Sequence, residues 1–310
     1  MSVTAAQAVP DRRQSLRKSD RRAGYVMLLP AGIVIIAVTL FPILYSAVVS
    51  LNNVSLTVAG YKMSYIGLHN YDVLVHSGVF WHSVWFTVMY AVVTVIAELV
   101  LGMLIALAVN NVQRMKNISI VIMLIPWSLI TVMSAQMWSY MYNGVYGVIN
   151  YVFQGVHIIT YPVTWLATPL SAIISMMVAD IWKTTPFVVI ILLAGLQMIP
   201  TEYYEAAHMD GAGAWKTFWN VTFPSLRGSI ALAGLFRILQ AFGVFDLPYV
   251  LTNGGPGDAT QSLAILGQYV LFSELHFGIG AAIAVATVIL VLGVSLVFLS
   301  AFRSIVEGEA

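Results

Sequence analysis

The sequence predicts an all-α integral membrane protein of six membrane-crossing helices with both termini cytoplasmic. Three observations predict it. Of 310 residues, 60% are apolar and 9% charged, against about 25% charged in a soluble domain. Six mainly apolar runs, at roughly 25–51, 83–110, 118–142, 168–194, 226–250 and 278–302, each reach the ~20 residues a bilayer crossing needs. Lys and Arg fall almost wholly into alternate connections, the asymmetry that marks the cytoplasmic side.

The same composition excludes several classes. A net charge of +1 provides no basic field for nucleic acid. The absence of cysteine removes disulfides and thiolate metal sites. His69, His76, His82, His157, His208 and His276 are scattered, with no carboxylate or third histidine at ligand spacing, so no metal site is expected. A membrane-embedded enzyme needs a converging His, Ser or carboxylate set, and the histidines do not cluster.

The elements follow in order. Residues 1–24 form a polar tail with Arg12, Arg13, Arg17, Lys18, Arg21 and Arg22. The apolar run from Tyr25 to Leu51 is longer than the ~7–15 residues of a signal-peptide core, so it reads as an uncleaved first helix of a permease domain over 25–302. Pro30, Pro42, Pro126 and Pro186 fall inside spans, where proline is tolerated and marks kinks. With the N-terminus inside, the inner segments hold eleven basic residues, including Arg114, Lys116, Lys216, Arg227 and Arg303. The outer loops, about 52–82, 143–167 and 251–277, hold Lys62 alone. A cytoplasmic tail, 303–310, closes the chain.

The most polar inner connection is TEYYEAAHMDGAGAWKTFWNVTFP, 201–224. Glu202 to Met209 suits a short helix with Thr201 as N-cap and acids in its first turn. Asp210-Gly211 and Gly213 break it, and Ala214 to Asn220 suits a second helix: a helix, a glycine corner and a helix. GAGAWKT fails as a phosphate-binding loop, because Trp215 stands where glycine must precede Lys216. On physical grounds the segment suits an amphipathic hairpin anchored at the lipid interface by Trp215, Phe218 and Trp219.

One spacing adds a second reading. Glu205-Ala206-Ala207, then Gly211, then Val221-Thr222-Phe223-Pro224 resembles the signature loop of binding-protein-dependent ABC importer permeases, with Phe223 where leucine is usual. IWKTTPF (181–187), LAGLQMIP (193–200), FDLPYVLTNGGPGDAT (245–260) and FGIGAAIAV (277–285) resemble the sugar (maltose-type) branch. The match is densest over about 178–285; the N-terminal third agrees in span layout. The resemblance implies a type I ABC importer permease fold in the cell membrane. It implies a non-enzymatic subunit with a second six-helix permease, two cytoplasmic ATPase subunits that bind ATP and Mg, and an extracellular sugar-binding protein as partners. No cofactor is expected on this chain. The coupling loop, about 195–225, is expected to dock on an ATPase through Glu205, Ala206, Ala207, Asp210 and Gly211. LTNGGPGDAT is expected near the outer gate, and its Gly254, Gly255 and Pro256 suit a turn.

Ionisable residues inside spans usually face a cavity or a partner, and Glu98, Asp180, Lys183, Arg237 and Asp246 are such residues. Lys183 and Arg237 each lie about 17 Å from the inner end of their helix at 1.5 Å per residue, near the midplane. Asp180, Lys183, Thr184 and Phe187 share one helix face, and Arg237, Gln240, Ala241 and Val244 another. Asp246 is half a turn out of phase with Arg237. A sugar site needs placed donors and acceptors plus an aromatic surface. Asp180, Lys183, Thr184, Arg237 and Gln240 offer the first, and Phe187 and Trp182 the second. In the family, positions around IWKTTPF contribute to the sugar site. A structural pair joining Asp180 to Arg237 or Lys183 is equally open, and Glu98 reads as structural. The solute stays open between a di- or oligosaccharide, a polyol and a glycerol phosphate that meets Lys183 and Arg237. An ion-coupled transporter using Glu98, Asp180 or Asp246 is the rival reading, disfavoured because no pair of broken helices is evident in matching halves.

Overall fold

The computed structural model describes residues 12–57, 60–112 and 116–307, with side chains over 23–55, 60–112 and 117–302. Residues 1–11 of the tail, Arg114 and the last three residues lie outside what is described. The chain opens with α1 (Arg12–Ile35), a π-helical turn (Ile36–Leu40) and α2 (Phe41–Ser50). Ala23–Ser50 forms one apolar span with none of its most apolar stretch buried inside the protein, so its side chains meet lipid or another chain. Next come β1 (Asn52–Thr57), β2 (Gly60–Tyr65), α3 (His69–His76) and α4 (Gly78–Asn111). After α5 (Lys116–Ser128), α6 (Thr131–Met141) and α7 (Val148–Gly155), α8 runs from Pro169 to Gln197. The chain ends with α9 (Thr201–Met209), α10 (Ala214–Thr217), a second π turn (Phe218–Thr222), α11 (Phe223–Phe242), α12 (Asp246–Leu251), α13 (Leu263–Phe272) and α14 (Phe277–Glu307).

Both π turns end immediately before a Phe-Pro pair, Phe41-Pro42 and Phe223-Pro224. Proline has no N–H to donate, and its ring crowds the carbonyl four residues back. Those carbonyls belong to Val38 and Asn220, each at the middle of its π turn. The helix relieves the clash by widening one turn: the Phe41 N–H bonds Ile36 O and the Phe223 N–H bonds Phe218 O, five residues back.

Three expectations are corrected. The chain is not purely helical, because the connection after α2 folds into an antiparallel hairpin that pairs Asn52 with Tyr65 and Val54 with Met63. Gly60, at φ +125° in its second strand, occupies backbone space that an L side chain disfavours. The run 118–142 is not one helix: Asn117–Ser128 and Thr131–Met141 meet at 90°. Pro126 lies two residues before the end of α5, and Ile130 adopts extended backbone, φ −59°, ψ 134°. The run 226–250 stops at Phe242, and Gly243 separates it from α12. By length and composition, four helices among the described residues suffice to cross a membrane, or five if the bent pair counts as one span.

The centre is a three-helix packing of α4, α8 and α11. Ala106, Val188, Val189, Leu192, Leu226 and Ala233 are buried there. Close approach depends on small residues, as in membrane bundles generally. A Cβ added to Gly102 of α4 would lie 2.6 Å from Val188 Cγ1 of α8. One added to Gly195 of α8 would lie 2.3 Å from Ser229 Oγ of α11.

Candidate functional site

The close helices bring three distant charges together. Glu98 on α4 is fully buried and Arg237 on α11 is 2% exposed. The Arg237 Nε donates to Glu98 Oε2 and its Nη2 donates to Glu98 Oε1 at 2.8 Å, a bidentate pair. Nη2 also reaches Asp180 Oδ2 at 3.3 Å, and Nη1 donates to Gln240 Oε1 at 2.8 Å. Thr184 Oγ1 lies 2.6 Å from both Glu98 Oε1 and the Asp180 carbonyl, so its one proton is shared between two acceptors. A charge in the low-dielectric interior is tolerable only when paired and hydrogen-bonded, and this network meets that demand for Glu98 and Arg237. The pairing between helices anticipated from Asp180 is present, but Glu98 is the principal partner of Arg237.

Beside the network lies a cavity of about 320 Å³, at the low end of the ~300–1,000 Å³ usual for small-molecule sites. Asp180, Lys183, Thr184, Arg237 and Gln240 all reach its wall. So does Asp246, because the break at Gly243 turns the chain back toward the cavity and cancels the phase mismatch of a continuous helix. Lys183 has no carboxylate within 4 Å among the described residues, yet it shares the wall with Asp180 and Asp246.

The aromatic part differs from expectation. Neither Phe187 nor Trp182 lines this cavity. Trp182 packs edge-on against Trp138, with centroids 5.6 Å apart. Phe187 lies behind Trp127, stacked at 5.9 Å and 20°. The aromatic wall is Trp127, beside the 90° bend, with Phe245 from the α11–α12 break. Sequence reasoning missed both rings; the available signal was the Pro126-Trp127 pair inside an apolar run.

The connection between α8 and α11 forms the expected helix, corner and helix. Pro200 occupies the N-cap and no side chain caps α9, so Thr201 is the first helical residue and not the cap. Gly211 has φ +72°. Its N–H bonds His208 O at 3.0 Å and the Ala212 N–H bonds Ala207 O at 2.9 Å, the two bonds of a Schellman close. Nothing lies within 4 Å of a Cβ built on Gly211, so its backbone conformation, and not space, calls for glycine. None of α9 is buried, and Glu205, Ala206 and Asp210 are exposed with Ala207 half-buried. Trp215, Phe218, Trp219 and Phe223 pack on one another beside the corner.

The GGPGD turn forms between α12 and α13. Gly254 and Gly257 have positive φ. Leu263 N donates to Thr87 Oγ1 at 3.0 Å and Ser83 Oγ to Gln261 Oε1 at 3.2 Å, tying the turn to α4. No group of three or more metal-ligating side chains occurs among the described residues.

Comparison with known proteins agrees with this architecture. Residues 98–305 match the family described as binding-protein-dependent transport system inner membrane component. The chain is 38% identical over 288 residues to the trehalose/maltose transport system permease protein MalF of Thermococcus litoralis, covering 93% of this chain and 96% of that one. It is 34% identical over 290 residues to the sulfoquinovosyl glycerol transport system permease protein SmoG of Agrobacterium fabrum, covering 92% of each. Its fold matches a chain of a bacterial alginate ABC transporter crystallised with an alginate pentasaccharide-bound periplasmic protein, at TM-score 0.80 and 20% identity, covering 96% of this chain and 99% of that chain. With the fold and more than half of the chain matched, the protein belongs to the binding-protein-dependent transport system inner membrane components, the permease subunits of ABC importers, and is not itself an enzyme.

Proposed function

We propose that the chain is the solute-translocating permease of an ATP-driven importer for a neutral di- or oligosaccharide. The observation that carries this reading is the polar cavity beside the buried network. Arg237 is committed to Glu98, Asp180 and Gln240, and Lys183 shares its wall with two carboxylates. No pair of free cations therefore awaits a phosphate, which favours a saccharide over a glycerol phosphate. Relatives named for trehalose and maltose transport support the same choice. Asp180, Lys183, Thr184 and Gln240 would meet the hydroxyls; Arg237 would hold Gln240 and Asp180 in place, and Phe187 would back the aromatic wall.

The permease makes six crossings in this reading. The bent pair counts as one, and α11, 20 residues long, spans about 30 Å at 1.5 Å per residue with its Arg237 neutralised inside the bundle. The Lys and Arg asymmetry puts both termini and the corner on the cytoplasmic face of the cell membrane. Partners are a second six-helix permease subunit, two ATPase subunits and an extracellular saccharide-binding protein. ATP and Mg belong to the ATPase subunits. Glu205, Ala206, Ala207, Asp210 and Gly211 form the surface on which an ATPase docks, supported by the fact that no residue of α9 is buried. ATP favours the closed ATPase pair, and that differential affinity is the energy source for alternating access.

The test is purification in mild detergent with partners identified by mass, then uptake into proteoliposomes of labelled trehalose, maltose and glycerol 3-phosphate. ATP-dependent saccharide uptake is the expected result. Uptake driven by an ion gradient without ATP would overturn the reading, and uptake of the phosphate ester alone would overturn the solute class.

A further inference from the structure

We propose that the apolar groove between α2, the hairpin and α14 holds one acyl chain of an anionic phospholipid whose phosphate meets Lys62; the inference rests on the membrane-spanning architecture and is independent of the solute. The groove has a volume of about 310 Å³. Tyr45 and Val49 of α2, Val54, Tyr61 and Met63 of the hairpin, and Ala284 of α14 line it. No charged side chain reaches the wall, and Ser46 is the one polar residue there besides the two tyrosines. A polar solute finds too few partners on such a surface, whereas a methylene chain asks for none.

The hairpin places the groove at a membrane boundary. Its register pairs Val54 with Met63 and Ser55 with Lys62. Side chains alternate along a strand, so Val54, Tyr61 and Met63 share the face over the groove, and Asn53, Ser55, Lys62 and Ser64 share the other. An amphipathic ribbon at the end of the Ala23–Ser50 span lies with one face to hydrocarbon and one to headgroups, the depth that tyrosine favours. Lys62 is the only Lys or Arg between Arg22 and Arg114. It is exposed, and no carboxylate lies within 4 Å of it among the described residues. Its long stem carries the ammonium to headgroup level, where a phosphate is its complement.

The groove is also preformed and opens onto lipid-facing surface. Asn70 Nδ2 donates to Ser50 O at 2.8 Å and to Asn52 O at 3.0 Å, and the Ile66 N–H bonds Leu51 O at 3.0 Å, so both ends of the hairpin are tied down. A Cβ added to Gly278 would lie 2.3 Å from Asn52 O, and one added to Gly280 would lie 2.3 Å from Leu271 Cγ. These glycines seat α14 against the hairpin and α13. Tyr45 nevertheless stays 48% exposed and Tyr61 64%, so the walls are fixed while the space between them is open. Leu44 and Val48 beside Tyr45, and Val288 and Ile289 beyond Ala284, are exposed apolar residues. The groove thus continues the apolar surface of the spans, and this continuity, with the lone Lys62, favours lipid as its occupant.

The test uses the protein with its native partners in phosphatidylcholine nanodiscs. A trace of phosphatidylglycerol or of phosphatidylcholine carries a photoreactive acyl chain, and cross-linked peptides are mapped by mass spectrometry. Labelling of residues 45–49 is expected to exceed that of residues 96–104, an exposed apolar stretch of α4, and to be about fivefold stronger with phosphatidylglycerol, from the usual pull of one lysine on an anionic headgroup. Lys62→Gln is expected to erase that preference while chain labelling persists. Ala284→Trp fills the groove and is expected to lower labelling by both lipids to the level of residues 96–104. If Ala284→Trp does not assemble, Met63→Trp closes the groove from the hairpin and is read the same way. Wild-type labelling no stronger than at residues 96–104, labelling unchanged by the filled groove, or no preference for phosphatidylglycerol overturns the proposal. A groove labelled only after the partner subunits are stripped away belongs to a protein neighbour, which overturns it as well.

Discussion

Removing Arg237 tests the central network most directly. Arg237→Met keeps the length of the side chain and deletes its charge. Four hydrogen bonds go with it, two to Glu98 and one each to Asp180 and Gln240. What remains is worse than a gap: Glu98, fully buried, faces Asp180 with no cation between them. Breaking one side of a buried ion pair costs about 3–5 kcal/mol, and two stranded carboxylates place this variant near the upper end. Glu98→Gln is milder, because Arg237 keeps Asp180 and the new amide can still accept from Thr184; a cost of about 1.5–3 kcal/mol is expected for lost charged hydrogen bonds. The double variant removes both buried charges together and is expected to be more stable than Arg237→Met alone, with a coupling of about 2–3 kcal/mol. Reversible unfolding in mixed micelles by a denaturing detergent, followed for wild type, both single variants and the double, gives the four corners of the cycle. Costs that add to within about 0.5 kcal/mol would falsify the claim that Glu98 and Arg237 act as one unit.

Other expectations follow from particular contacts. Gly211→Ala forces an L side chain into the left-handed region at φ +72° and should cost about 1–2 kcal/mol, read as a lower melting temperature and weaker ATPase retention in pull-downs; Gly211→Asn should restore much of both. Glu205→Lys reverses an exposed charge on α9. It should leave insertion and stability unchanged while solute-stimulated ATP hydrolysis by the complex falls at least tenfold, and undiminished hydrolysis would remove Glu205 from the docking surface. Gly102→Leu cannot fit, because even its Cβ meets Val188 Cγ1 at 2.6 Å; overpacking should destabilise by about 1–3 kcal/mol, measured by thermal unfolding, and Val188→Ala should partly rescue it. Lys183→Gln should lower maltose uptake severalfold without altering the unfolding midpoint, since Lys183 has no ion-pair partner to lose among the described residues.

Much of the fold was legible because long apolar runs have one solution in a bilayer. Gly78–Asn111, Pro169–Gln197 and Phe277–Phe302 extend the anticipated runs by only a few residues. The corner was legible for a local reason: Asp210-Gly211 ends a helix by chain geometry alone. The breaks were not, because apolar composition over 118–142 and 226–250 is the same for a straight helix as for a bent one. Pro126 flagged strain without revealing its angle, and Gly243 stood among residues that otherwise read as membrane helix. The failure to anticipate broken helices has this origin. At the site, helical spacing correctly placed Asp180, Lys183 and Thr184 on one face. It carried no information about Glu98, which stands 139 residues from Arg237 and joins it through the packing of α4 on α11.

The π turn at Phe218–Thr222 also sets a phase. Helical backbone runs without interruption from Ala214 through this turn to Phe242, so the corner and Arg237 sit on one rod. A residue added to an α-helix advances everything beyond it by about 100° around the axis, given 3.6 residues per turn. The widened turn absorbs one such residue without passing that rotation on. Deleting one residue between Phe218 and Thr222 would let the turn relax to α geometry and keep Arg237 aimed at Glu98. Deleting one residue after Pro224 would swing the corner about a quarter-turn relative to Arg237. The proline that looks like an interruption is thus the timing mark that aligns the glycine corner with the buried Glu98–Arg237 network.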